Sequence, residues 1–244
     1  MSTIVDNCRI LLQAYKEWKL WHMAMPEDAH PTFLTTEEKL VYFTLPMALY
    51  YQRNSYKLRE WALAAYNDPE TRRIFDIEKS ARASKEDLQQ ALLKHKVALQ
   101  PNKHTASWQK IAQTISEHWE TLENMLRDTN YDFLELQHII QKKYKAWFPY
   151  LSWPKIFHYW SYILGEYCGV KLKNREFIEI APDTHVIQCS VKLWVLTHKE
   201  ATRLSKDAIS KKRRELLHWS GIDPIDMHSP LWFWSRNDFI FEIH

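Results

Sequence analysis

Glycine is nearly absent from this chain, with three residues in 244 against about 7% in average usage. That scarcity, and the lack of segments with strict polar/apolar alternation, points away from strands and toward helices joined by short, proline-marked turns. Cysteine is also sparse. Cys8, Cys168 and Cys189 are odd in number and far apart, which excludes a disulfide framework or a four-cysteine cluster and fits reduced thiols. Apolar runs are broken by charge or proline well short of the roughly 18 residues a membrane span needs. The N-terminal "MSTIVDNCRILLQAYKEWKLWH" is amphipathic and lacks the apolar core and small-residue cleavage site of a signal peptide. A soluble intracellular protein of cytoplasm, nucleoid or nucleus is expected, without a membrane partner. Twelve histidines are not arranged as H-E-x-x-H or paired with cysteine at ligand spacing, so no metal and no cofactor are expected.

What the chain does have is apolar and aromatic bulk: 45% hydrophobic and 14% aromatic residues, enough for a sizeable core in one large domain or two closely packed lobes. Helical spacing recurs, as in the stripe Ile10, Leu11, Tyr15, Trp18 and Trp21 and the stripe Leu40, Phe43, Met47 and Tyr50. Ser and Thr caps precede acidic first turns in "TTEEKL" (35–40) and "SKEDL" (84–88). The pattern predicts helices near 3–22, 36–66, 70–80, 84–97, 105–128, 131–144, 154–168, 184–196, 201–219 and 229–238, with "KHKVALQPNKHTAS" (94–107) as an exposed linker. The expected fold class is all-α.

The net charge of +3 is too small to identify a nucleic-acid partner, so its distribution matters more. From Leu136 to Gly165 there is no acidic residue, yet Lys142, Lys143, Lys145 and Lys155 all fall there, interleaved with aromatics. A second cluster, Lys206, Lys211, Lys212, Arg213 and Arg214, fits a solvated helix face equally well. Residues 131–168 read as a helix, "YDFLELQHIIQKKY", a tight connection, "KAWFPYLSWP", and a second helix, "KIFHYWSYILGEY". The arrangement resembles a helix-hairpin-helix, whose second helix offers unpaired backbone N–H groups to a phosphate without reading sequence.

The chain at this point resembles the helix-hairpin-helix DNA glycosylases, most closely the archaeal-type 8-oxoguanine glycosylase/lyase branch. The resemblance rests on "LSWPKI" (151–156) and on Asp183, 28 positions after Lys155, in "APDTHVIQCSVKL". "LYYQRNSY" (49–56) is similar to the family's base-pocket segment. It implies one helical glycosylase-like unit over 1–244, or two lobes, with the hairpin at about 131–168, acting as a monomer on double-stranded DNA containing a damaged base. Lys155 would attack the anomeric carbon to form a Schiff base, and Asp183 would assist by proton transfer. Gln52, Trp153 and Phe157 would line the base pocket. Lys142, Lys143, Lys145, Ser152 and His185 would face the DNA. Extruding a base costs a few kcal/mol, least when it is badly paired.

A nucleophilic lysine must be neutral when it attacks, against a reference pKa of about 10.4. The first turn of a helix opposes a cation by roughly 0.3–1 kcal/mol, so desolvation by Trp153, Phe157 and Trp160 has to supply most of the shift. Each assignment has a structural competitor. Lys155 also suits phosphate binding, Asp183 an N-cap, Gln52 a surface amide, the three aromatics the core, and His185 a contact beside Asp183. Asp223, Asp226 and His228 read as turn and cap residues, and Leu231, Trp232 and Trp234 as a closing helix face. The family's hairpin glycine is replaced here by the Trp153–Pro154 stretch, which removes the closest backbone approach to phosphate. A DNA-binding protein without turnover, a helical interaction scaffold and a monofunctional glycosylase for an alkylated base are the alternative expectations.

Overall fold

The computed structural model describes residues 3–243. Among them the fold is all-α, with thirteen α-helices and no strand: α1 (Ile4–Lys16), α2 (Thr36–Thr44), α3 (Ser55–Asn67), α4 (Ile77–Arg82), α5 (Lys85–Lys94), α6 (Pro101–Trp119), α7 (Leu122–Asp128), α8 (Phe133–His138), α9 (Pro154–Glu166), α10 (Thr184–Lys192), α11 (His198–Arg203), α12 (Lys206–Leu217) and α13 (His228–Arg236). An isolated bridge pairs Asp132 with Lys173. The chain forms two compact units. The larger, residues 25–173, carries α2–α9; the other joins α1 to the segment from Asn174 onward with α10–α13. No helix among the described residues is long and apolar enough to cross a membrane.

Helix starts follow side-chain capping. Thr35, Asn54, Asp76, Ser84, Thr121 and Asp132 each accept a backbone N–H from the first turn of the helix that follows, and Pro101 opens α6 where its missing N–H costs nothing. Helix ends are where sequence periodicity misleads. The stretch expected as one helix over 3–22 stops at Lys16, and Trp18 and Trp21 take left-handed φ of 56° and 51° on the surface instead of extending the buried stripe. The run 36–66 breaks after Thr44, where Pro46 starts a 3-10 turn (Pro46–Leu49), and again at Gln52, with φ 53°. The run 105–128 is broken by Glu120, φ 66°. The expected linker 94–107 is neither exposed throughout nor irregular: Val97 and Ala98 are buried, and α6 already begins at Pro101.

In the larger unit α6 packs on α4 and α5. The core collects Tyr42, Phe43, Phe75, Trp108, Phe133, Phe148, Phe157 and Trp160, all fully or nearly fully buried. Burial stabilises by about 1.5–3 kcal/mol for each such side chain. The two indole N–H groups do not go unmatched: Trp108 Nε1 donates to the Ile74 carbonyl (3.1 Å) and Trp160 Nε1 to Thr44 Oγ1 (2.9 Å). Glu37, on α2, accepts the backbone N–H groups of Leu122 and Glu123 (both 2.9 Å) and so closes the N-terminus of α7 from a neighbouring helix.

Inside this aromatic core lies a charge pair with no solvent exposure on either side chain, Glu27 and Arg59 (Nε to Oε1 3.4 Å). Tyr50 Oη donates to Glu27 Oε1 and Tyr159 Oη to Oε2 (2.7 Å). Arg59 Nε donates to Tyr50 Oη (2.7 Å), its Nη1 to the Tyr42 carbonyl (3.2 Å), and its guanidinium lies 5.0 Å from the Phe43 ring centre. Burial drives both tyrosine hydroxyls far above their ordinary range, and the neighbouring negative charge adds to the effect. One carboxylate thereby fastens the turn before α2, the turn after it, α3 and α9.

His104, nearly buried near the start of α6, accepts the backbone N–H of Leu99 at Nδ1 (3.0 Å). Burial, with Arg53 and Lys103 nearby, lowers its pKa to about 4.

In the smaller unit α10 and α13 run antiparallel. Cys189 Sγ is 3.1 Å from the Leu231 carbonyl, and His185 Nδ1 lies 2.9 Å from Ser235 Oγ. Leu231 and Trp234 are buried and Trp232 is half-buried. Arg175 pairs with both Asp223 and Asp226, which also form a reciprocal cap. Those aspartates are turn and ion-pair residues, and no group of three or more His, Cys, Asp or Glu among the described residues is placed to hold a metal ion.

Two outcomes follow for stability. Glu27→Gln leaves a buried guanidinium without its counter-charge and is expected to lower unfolding free energy by about 3–5 kcal/mol in urea titrations; a loss under about 1 kcal/mol, the range of an exposed pair, would contradict the role given to the pair. For His104 the unfolded chain binds a proton below pH about 6.5 that the folded chain refuses until about 4. Its contribution is therefore present above pH 6.5 and declines as pH falls toward 4. A His104→Gln variant should show a smaller loss of urea midpoint than the parent between pH 7 and pH 4.5.

Candidate nucleic-acid interface

The expected hairpin region is built from local pieces. α8 continues into a π-helical turn (Ile139–Lys143), then a short 3-10 turn (Lys145–Trp147), before an aromatic loop leads into α9. In that loop Tyr150 adopts φ 61°, the Ser152 N–H bonds the Phe148 carbonyl (2.9 Å) and the Trp153 N–H bonds the Tyr150 carbonyl (3.0 Å). Trp153 is the N-cap of α9 and gives it no side-chain cap, with Pro154 in the first helical position. Phe133 on α8 packs on Phe157 of α9, ring centres 5.5 Å apart.

Lys142, Lys143, Lys145 and Lys155 are all exposed. Lys155 thus departs from the apolar enclosure expected around it. The reason is helical geometry: Phe157 and Trp160 turn inward and are fully buried, leaving Trp153 alone of the three at the surface, 41% exposed. Phe157, expected in a base pocket, is a core side chain against Phe133 and Trp160. Ser152 is buried.

Trp153 is held edge-on by two tyrosines, Tyr51 at 4.7 Å and Tyr150 at 5.0 Å, which stack on each other at 5.8 Å. The fold thereby brings the "LYYQRNSY" turn, with exposed Gln52, against the "LSWPKI" turn. Arg53 secures the first of these turns, donating to the Val97 (2.6 Å) and Lys96 carbonyls (3.2 Å); burial lowers its pKa to about 10. Lys103 Nζ lies 5.1 Å from the Tyr150 ring centre and Lys110 Nζ 4.7 Å from that of Trp147, which is 51% exposed. Lys143 sits over Tyr144 at 5.0 Å.

Lys103, Lys110, Trp147 and Tyr150 are absent from the sequence-based candidates, although a signal existed: no acidic residue occurs between Asp87 and Glu117. That acid-free stretch packs on the acid-free stretch 136–165 through these cation–aromatic pairs. Electrostatically, the result sets Lys103 and Lys110 beside the rings of Tyr150 and the exposed Trp147, without a carboxylate from either stretch. The second basic cluster differs. Lys211 pairs with Glu215, Lys212 with Glu200 and Arg214 with Glu179. Arg213 is buried, and desolvation lowers its pKa to about 10. Its charge is largely absorbed within the protein.

Asp183 is the N-cap of α10, its carboxylate accepting the Val186 N–H (3.1 Å). His185 is exposed one residue into the helix. These two residues belong to the smaller unit, whereas Lys155, Gln52 and Trp153 belong to the larger. Among known proteins, no family model, no curated protein and no solved structure matches this chain.

Proposed function

We propose that the chain binds DNA through the lysine–aromatic face of the larger unit and acts there as a base-excision enzyme, a DNA glycosylase with associated lyase activity. The binding half is supported by one observation above others, the packing of two acid-free, lysine-bearing stretches around exposed tryptophans. The lysines of such a face suit the phosphates of a polyanion. The chemical half rests on the resemblance of "LSWPKI" and Asp183 to the lyase branch, and on the accessibility of Lys155 in the first turn of α9. In that reading the Lys155 amine attacks the anomeric carbon of a damaged nucleotide, an oxidised purine such as 8-oxoguanine. The C–N bond to the base breaks and the base departs with the bonding pair; the sugar C1′–O4′ bond then opens to give the iminium, which acidifies the 2′ carbon so that loss of a 2′ proton expels the 3′ phosphate. The resemblance alone assigns the proton transfers to Asp183. No cofactor enters the scheme, and the substrate is double-stranded DNA.

A second reading, DNA binding without turnover, is favoured by the exposure of Lys155, since the apolar enclosure that would desolvate a nucleophilic amine is not built by Phe157 and Trp160.

Borohydride trapping on a duplex containing 8-oxoguanine, with an abasic duplex alongside, separates the two. The glycosylase/lyase reading predicts a covalent adduct that Lys155→Ala abolishes. Asp183→Asn retains an N-cap but removes the carboxylate, and should slow adduct formation roughly 10²-fold or more at unchanged melting temperature. DNA binding with no adduct on either duplex would leave the second reading.

A further inference from the structure

The same face contains a feature that duplex binding does not use. Trp147 and Trp153 are exposed by 51% and 41%, and Tyr51 by 42%. These rings are not loose. Trp153 is fixed edge-on by Tyr51 and Tyr150, and Trp147 lies under Lys110. Lys103 and Lys110 are seven residues apart on α6, hence on one side of the helix and about 10 Å apart along its axis. Each is paired with a ring of the 147–153 loop. Lys110 thus flanks an exposed ring, while Lys103 lies over the buried Tyr150, which itself supports the exposed Trp153.

In duplex DNA the faces of the bases are occupied by neighbouring pairs, so an exposed indole finds nothing to stack on. An unpaired strand offers both its phosphates and its base faces. An acidic peptide would match the lysines but would leave the rings without flat partners.

We propose that this face is a platform for an unpaired DNA strand, with Trp147 and Trp153 each stacking a base and Lys103 and Lys110 neutralising the phosphates beside them. The proposal rests on the nucleic-acid reading of this face and is independent of the chemistry assigned to Lys155. Of its four residues, Trp147, Lys103 and Lys110 are given no role in the glycosylase reading.

The test is a fluorescence titration of the full chain with a short oligothymidine, with the same strand annealed to its complement, and with polyglutamate. The single strand should bind more tightly than the duplex and quench tryptophan emission, and polyglutamate should compete weakly. Trp147→Ala and Trp153→Ala should each weaken single-strand binding roughly 5- to 150-fold and leave the salt dependence alone, while the corresponding Phe variants retain most of the affinity. Lys103→Gln and Lys110→Gln should each lower the slope of log K against log salt by about 0.7. Circular dichroism checks that each variant folds.

Equal affinity for duplex and single strand, with the tryptophan variants binding like the parent, would overturn the proposal, as would polyglutamate binding as tightly as the oligonucleotide. Loss of single-strand preference alongside an intact Lys155 adduct would sink the platform and spare the glycosylase reading. Single-strand binding that persists without any adduct would do the reverse.

Discussion

The buried contact between Glu27 and Arg59 is the constraint on which the larger unit depends. Taking two charges out of water is costly, and the cost is offset only when each polar atom finds a partner. Here the carboxylate receives two tyrosine hydroxyls and the guanidinium, whose Nε and Nη1 find oxygen partners while its Nη2 finds none among the described residues. The aromatic shell of Tyr42, Phe43, Tyr50 and Tyr159 excludes water, which strengthens the pair and makes its loss severe. Because Tyr159 lies in the middle of α9, the same network fixes the helix whose first turn presents Trp153 and Lys155. Position at the surface is set by an interaction in the core.

The lysine–aromatic face is arranged differently. Its order comes from packing among loops, not from ion pairs: Arg53 ties one turn to backbone carbonyls, and Tyr51, Tyr150 and Trp153 lock against one another. Lysines near rings gain a modest attraction, about 0.5–1 kcal/mol at exposed sites, while keeping their charge available to a phosphate. The contrast with the smaller unit is instructive. There Lys211, Lys212 and Arg214 of α12 are matched by Glu215, Glu200 and Glu179, and Arg213 is buried, so fewer of its cations face outward unpaired.

Fold class and some helix starts, as at Thr35 and Ser84, are legible in the sequence because Ser, Thr, Asp and Asn caps act locally, whereas the capped starts after Asn54, Asp76, Thr121 and Ser205 fall inside longer periodic runs. Helix ends are not legible, and the reason is physical. A chain with three glycines turns by placing other residues in the left-handed region, among them Gln52, Glu120, Trp18 and Trp194, where a Cβ is strained by about 1–2 kcal/mol. Nothing in their identity announces a turn, so periodicity runs through them. The surroundings of Lys155 are hidden from the sequence for a related reason. Aromatics close in sequence alternate around a helix, and Phe157 and Trp160 face the core. The contribution of α6 required the tertiary structure, since Lys103 and Lys110 meet the 147–153 loop only in the fold, although the acid-free stretch around them was visible.

The most direct test of a nucleic-acid face on the larger unit is hydrogen–deuterium exchange of the full chain with and without DNA. Slowed exchange concentrated at residues 50–53, 96–110 and 142–156, with α11–α13 unchanged, is the result this structure predicts. Protection confined to α12 or absent throughout, at a DNA concentration that saturates binding, would contradict it.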